Sequence, residues 1–110
     1  MTAEPRWIPE AVKDLQNGYD WYNKRKPGLG RQLAVDLYKT VDQALQNPLM
    51  PRKYKHPKLP AEPWIRKIQL RRFDEYGLFY TVFNGTFWIV AVAHAKRKPG
   101  YWIDRLDHLG

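Results

Sequence analysis

Asn84-Gly85 sits between two runs, Tyr76 to Phe83 and Thr86 to His94, that are apolar on both faces. An Asn-Gly pair between strand-like segments is the strongest short-range signal for a two-residue hairpin, because both turn residues must accept positive φ. The turn predicts a register in which Phe83 opposes Thr86, Thr81 opposes Trp88 and Phe79 opposes Val90. That register puts His94 on one face with Trp88, Val90 and Val92. Strands apolar on both sides are central or covered twice. Ile65 to Phe73 alternates, with Ile68 and Leu70 on one side and Lys67, Gln69 and Arg71 on the other. The Asp74-Glu75 connection fixes that phase, and a slip of one residue there would turn Lys67 and Arg71 over.

The first half of the chain has helical periodicity. Trp7 and Ile8 read as the end of a short strand, and Pro9 suits the first position of a helix, with Glu10 favourably placed at its positive end. Val12, Leu15, Tyr19 and Tyr22 recur at helical spacing, and Pro27-Gly28 stops this helix near Lys26. A second helix is predicted from Leu29 to Gln46, its stripe formed by Leu33, Leu37, Val41 and Ala44 and widened by Ala34, Tyr38 and Leu45. Asn47-Pro48 ends it. So short a loop makes the helices an antiparallel hairpin. Pro48 to Pro63 reads as an extended, exposed connection, and Pro99-Gly100 breaks the sheet before a terminal segment, Tyr101 to Leu109. The expected fold class is α+β, an N-terminal helical hairpin packed on a small antiparallel β-sheet, with residues 1–110 as a single domain.

Composition narrows the function classes. The 110 residues contain no cysteine, so disulfides, thiol catalysis and cysteine-based zinc sites are excluded, in keeping with a reducing compartment. Met1 to Arg6 lacks the apolar core of a signal peptide, and Phe87 to Ala93 is too short to span a bilayer. The expected location is the cytoplasm, with no membrane partner. The formal net charge of +8 favours acidic partners. Its cations concentrate between Arg52 and Arg72 and again at Lys96, Arg97 and Lys98.

Three scattered histidines offer no metal site, and Gly28 and Gly30 mark a helix boundary rather than a phosphate loop. Neither metal nor cofactor is expected. Asp14, Asp20, Asp36 and Asp42 read as polar helix faces. What remains is a basic strand near aromatics, ending in His94. Arg71, Arg72 and Arg97 could hold a phosphodiester while His94 or Tyr101 moved protons, giving metal-free RNA cleavage by the RNA's own 2′-hydroxyl. Equally, His94 could cap a strand while the basic residues dock an acidic protein.

The order Pro-Glu-Ala…Asp-Leu…Trp-Tyr in Pro9 to Tyr22, Gly-Leu-Gly at Gly28 to Gly30, Leu-Arg-Arg-Phe at Leu70 to Phe73 and Phe-Tyr-Thr-Val at Phe79 to Val82 resembles a RelE/ParE superfamily toxin. The stretch from Ala91 to Trp102, with His94, Arg97, Pro99 and Trp102 in it, is the most specific part. The resemblance covers roughly Trp7 to Arg105. It implies the toxin of a bacterial type II toxin–antitoxin pair, neutralised by a small, partly disordered antitoxin and reaching operator DNA only through that complex. RelE-type members cleave mRNA on the ribosome. Of the residues they use, Lys67 and Tyr101 are retained here, while Gln69, Gly77 and Ala95 stand where cations would. ParE-type members, which poison DNA gyrase, resemble the His94-to-Trp102 ending better. The expected function is therefore a ParE-like gyrase inhibitor contacting partners through Lys67, Arg71, Lys96, Arg97, Lys98 and Trp102. The alternative is a ribosome-dependent mRNA endonuclease using His94, Arg97, Tyr101, Arg71 and Arg72. A third reading keeps the fold only as an interaction or DNA-binding module.

Overall fold

The computed structural model describes residues 4–109. In chain order the elements are β1 (Arg6–Trp7), α1 (Pro9–Arg25), α2 (Leu29–Gln46), β2 (Arg66–Gln69), β3 (Tyr76–Phe83), β4 (Thr86–His94) and a 3₁₀ helix (Ile103–His108). The sheet order is β1-β4-β3-β2. Strands β2, β3 and β4 are antiparallel as expected, but β1 runs parallel to β4, so the sheet is mixed. The reason is positional: β1 enters α1 at once, and the intervening hairpin and β2–β3 return the chain alongside it in the same direction. Among the described residues, no helix is long and apolar enough to cross a membrane.

The helical hairpin is closed by a side chain. Asn23, near the end of α1, accepts hydrogen bonds at its Oδ1 from the N–H groups of Gly28 (3.2 Å) and Gly30 (2.9 Å), satisfying donors that α2 leaves open. Gly28 has φ of 90°, and a Cβ on Gly30 would collide with the backbone carbonyl of Tyr19. The two helices can approach this closely only without a methyl group at residue 30, whereas at Gly28 it is the positive φ that calls for glycine. Along α1 the buried line begins at Ala11, not Val12, which is half exposed; it continues through Leu15, Gly18 and Tyr22. On α2 the expected stripe of Leu33, Leu37, Val41 and Ala44 is buried. Tyr38 lies outside it and meets Trp7 edge-on at 6.2 Å.

Both faces of β3 and β4 are covered, as their composition demanded. The helices pack on Tyr76, Leu78, Tyr80, Phe87, Ile89 and Val92. Opposite, Phe79 and Val90 meet Trp102, Ile65 and Ile8, with Tyr54, Leu59 and Leu106 around them. The segment from Pro48 to Pro63 is thus less exposed than its composition suggested. It brings Tyr54 against Phe79 at 4.9 Å and Trp102 at 5.9 Å.

The Asn84-Gly85 turn has φ of 51° and 76°, and Phe83↔Thr86 and Thr81↔Trp88 pair as predicted. The predicted Phe79–Val90 pair does not form. A bulge places Tyr80 opposite Ile89 and Phe79 opposite Ala91, leaving Val90 as the extra residue. Beyond it the phase of β4 is reversed. His94 therefore pairs with Tyr76 on the helix-facing side, its ring edge-on to the tyrosine at 5.0 Å, and is parted from Trp88 and Val90.

Two aspartates read as surface residues are core fixtures. Asp36 Oδ2 accepts from the N–H groups of Arg72 (3.0 Å) and Phe73 (2.8 Å), pulling that backbone onto α2. This draws the chain out of the ladder, so β2 stops at Gln69 instead of reaching Phe73. Asp14 forms a two-pronged pair with Arg105, at 2.6 Å and 3.0 Å. It also accepts from Val92 N–H at 3.0 Å, while Arg105 donates to the Val90 carbonyl at 3.2 Å. Beyond the short β1, these two side chains occupy the outer edge of β4 where another strand would bond.

Candidate functional site

The end of β4 and the turn after it create a small hollow. Ala95 N–H donates to the Glu75 carbonyl (2.7 Å), Arg97 N–H to the His94 carbonyl (3.0 Å) and Tyr101 N–H to the Lys98 carbonyl (3.1 Å). With Gly100 at φ of 77°, this winds Arg97, Lys98 and Tyr101 back toward β2 and β3. Lys67, Gln69, His94, Arg97, Lys98 and Tyr101 share the rim, along with Asp74 and Glu75. Its volume is about 180 Å³. Pockets that enclose small ligands run to roughly 300–1,000 Å³, so a nucleotide would lie across this hollow rather than within it.

Each candidate proton carrier here is already engaged. His94 Nε2 lies 2.7 Å from Glu75 Oε2, and His94 Nδ1 accepts the Lys96 N–H at 3.0 Å. A backbone N–H can only donate, so Nδ1 is unprotonated in this arrangement and the imidazole proton sits on Nε2, directed at Glu75. Tyr101 is half-buried under Arg97, whose guanidinium lies 3.9 Å from the ring centroid, and its hydroxyl faces Asp14 Oδ1 at a long 3.5 Å. Burial, reinforced by the Asp14 charge, raises the Tyr101 pKa despite the opposing pull of Arg105 and Arg97. A phenol pushed upward is poorly matched to proton transfer near neutrality.

The other expected site residues are dispersed. Arg71 and Arg72 line a separate hollow against α2, with Arg31, Gln32, Val35, Asp36 and Lys39, and His94, Arg97 and Tyr101 take no part in it. The five residues of the nuclease reading therefore do not share one hollow. The cause is Asp36, which holds the backbone at Arg72 and Phe73 on the helix side. Lys67, Arg97 and Lys98 do come together, whereas Lys96 faces an adjoining groove of about 320 Å³ with Trp21, Asn17 and Gly18. Trp102 cannot serve as a partner contact in this structure. It is 1% exposed, with its ring 4.6 Å from that of Phe79.

The residues missed from sequence are Glu75 and Asp14. Glu75 immediately precedes the Tyr76–His94 pair, so a hairpin register that included the bulge would have placed it beside His94. Asp14 gave no signal, since its partner Arg105 lies far along the chain. Among the described residues, no three His, Asp or Glu side chains converge in a way that could hold a metal ion.

A family model described as the ParE toxin of type II toxin–antitoxin systems, parDE, matches residues 6–99. Among solved structures, the chain is similar to one described as the chromosomal ParDE TA system from P. aeruginosa. The identity is 20% and the TM-score 0.66, over 83% of this chain and 94% of that one. No curated protein matches the chain significantly.

Proposed function

The chain belongs to the ParE toxin family of type II toxin–antitoxin systems, and on that premise we propose that it arrests growth by docking on DNA gyrase in the cytoplasm and is neutralised by a small cognate antitoxin. Operator DNA is reached only through the toxin–antitoxin complex. The observation that carries the choice of target is the engagement of His94. Both ring nitrogens are occupied, by Glu75 and by the Lys96 N–H, and of the three arginines expected around a phosphate only Arg97 is beside it, while Arg71 and Arg72 lie against α2. A docking surface tolerates such dispersion, because cations spread over a face still steer an acidic partner. A cleavage site does not, since its groups must converge on one phosphate.

One observation favours the second reading, ribosome-dependent mRNA cleavage. Lys67, His94, Arg97 and Tyr101 share a rim, so a phosphate resting there would meet two cations and two proton-bearing groups.

The two readings separate on His94→Gln. Glutamine can donate to Glu75 and accept from the Lys96 N–H, so a gyrase poison keeps its toxicity within about a few-fold. A nuclease losing its proton carrier falls by about 10²–10⁴ in rate. The measurement is growth after induced expression, alongside mRNA cleavage mapping and a supercoiling assay with purified gyrase. Codon-positioned cuts that disappear in His94→Gln, with supercoiling untouched, would overturn the gyrase assignment.

A further inference from the structure

The reading above gives the hollow against α2 no occupant of its own, yet its cations stand in two facing rows. Arg31, Val35 and Lys39 are four residues apart and form one outer line of α2. Arg71 and Arg72 face that line from the β2–β3 connection, which is held there by the two backbone hydrogen bonds to Asp36. The hollow is open to solvent and its volume is about 510 Å³. Arg31, Lys39, Arg71 and Arg72 are all exposed, and among the described residues none of them makes an ion pair. The cations of the lining outnumber its carboxylates four to one, and that one, Asp36, is 8% exposed and already committed to backbone donors.

One further feature defines the occupant. Val35 is 45% exposed in the same wall, an apolar surface among the four charges.

We propose that this hollow docks an acidic polypeptide segment, with carboxylates on the arginines and Lys39 and an apolar side chain on Val35. Arginine forks bind carboxylates in pairs, and the paired geometry gives register as well as affinity. A nucleic acid fits less well. No aromatic side chain lines the hollow for a base to stack on, and a phosphodiester chain offers nothing apolar to cover Val35. The inference deepens the neutralisation half of the proposed function, because an antitoxin is the natural source of such a segment. It does not depend on gyrase being the target.

The experiment uses the full chain and three probes: a peptide of glutamates interspersed with leucines, the same peptide with glutamine for each glutamate, and a single-stranded oligonucleotide of equal charge. Binding is followed by amide chemical shifts and calorimetry. The acidic peptide should shift Arg31, Val35, Lys39, Arg71 and Arg72, and the glutamine peptide should bind at least about tenfold more weakly. Arg31→Gln with Arg71→Gln should weaken the acidic peptide by about tenfold or more, while Lys96→Gln with Lys98→Gln leaves it unchanged. Should the first pair fail to fold, Arg31→Gln with Lys39→Gln, both exposed on α2, replaces it. An acidic peptide that binds elsewhere, or an oligonucleotide that occupies the hollow as tightly, overturns the proposal. Neither result touches the supercoiling assay, so failure here and failure of the gyrase reading remain distinct.

Discussion

Replacing Arg105 with methionine keeps the stem of the side chain and removes its guanidinium. That group binds Asp14 through two nitrogens at 2.6 Å and 3.0 Å, and the two side chains are only 13% and 7% exposed. Burial alone would lower the pKa of Arg105, but the hydrogen bonds and charge of Asp14 outweigh it and hold the guanidinium above its ordinary value. Without Arg105, the Asp14 carboxylate stays buried with Val92 N–H as its one close donor. Leaving a buried ion without its partner costs about 3–5 kcal/mol, and Asp14→Ala should cost a similar amount. In a domain of this size that lowers the melting temperature by roughly 12–20 °C. The double variant removes both charges at once and leaves Val92 N–H and the Val90 carbonyl unmet, at about 1–3 kcal/mol each. Its cost should stay well below the sum of the singles, with a coupling of about 2–3 kcal/mol. Urea unfolding of all four proteins at one pH measures this, through shifts in midpoint at constant slope. Single variants costing under about 1 kcal/mol, or a strictly additive double variant, would refute the reasoning.

Three further outcomes are expected. Burial raises both Tyr76 and Tyr80 to about 12, so between pH 10 and 12 the unfolded chain loses their protons while the folded one keeps them. Stability should be full below pH 10 and fall above it, by up to about 1.4 kcal/mol per pH unit for each tyrosine. Tyr80→Phe gives up the hydroxyl bond to the Pro48 carbonyl, about 1 kcal/mol, and makes the alkaline loss shallower; urea melts at pH 9, 10 and 11 would reveal it. Gly30→Ala drives a methyl group into the Tyr19 carbonyl and should cost about 1–3 kcal/mol, visible as a lower thermal midpoint with helicity retained in circular dichroism. Trp102→Ala should cost about 3–5 kcal/mol as a core deletion, yet leave antitoxin affinity of the folded fraction unchanged in calorimetry.

The helices were legible because their signals are local: Pro9, the Gly28 turn and Asn47-Pro48 set their limits to within a residue. The Asn84-Gly85 hairpin was legible for the same reason. The Val90 bulge was not, since nothing in a run of apolar residues marks which one is extra, and it reversed the face given to His94. Asp14 and Asp36 were read as solvated because a helix face with polar neighbours looks outward. Their partners, Arg105 and the backbone at Arg72 and Phe73, lie far away in sequence. The same long-range bonds explain why the candidate site was half legible. Lys67, His94, Arg97, Lys98 and Tyr101 gather through local turns and a hairpin register, while Arg71 and Arg72 are carried elsewhere by Asp36 and Trp102 is taken up by the core.

The Asp14–Arg105 pair has a bearing on how copies of this protein can meet. Strand pairing between molecules propagates into a fibre only if each molecule offers two adhesive sides, one for the neighbour above and one for the neighbour below. Here one side is two residues of β1 followed by Asp14 and Arg105, whose bonds consume the Val92 N–H and Val90 carbonyl. On the opposite side, Lys53 already bridges to Arg66, so only the stretch of β2 beyond Arg66 is left for a strand to add. Two copies meeting through β2 satisfy each other about a two-fold axis, and growth stops at the pair. A chain with five tryptophans and two doubly apolar strands would otherwise be a hazard at high concentration. With one side stoppered and the other shortened by Lys53, pairing through strands stops at two copies.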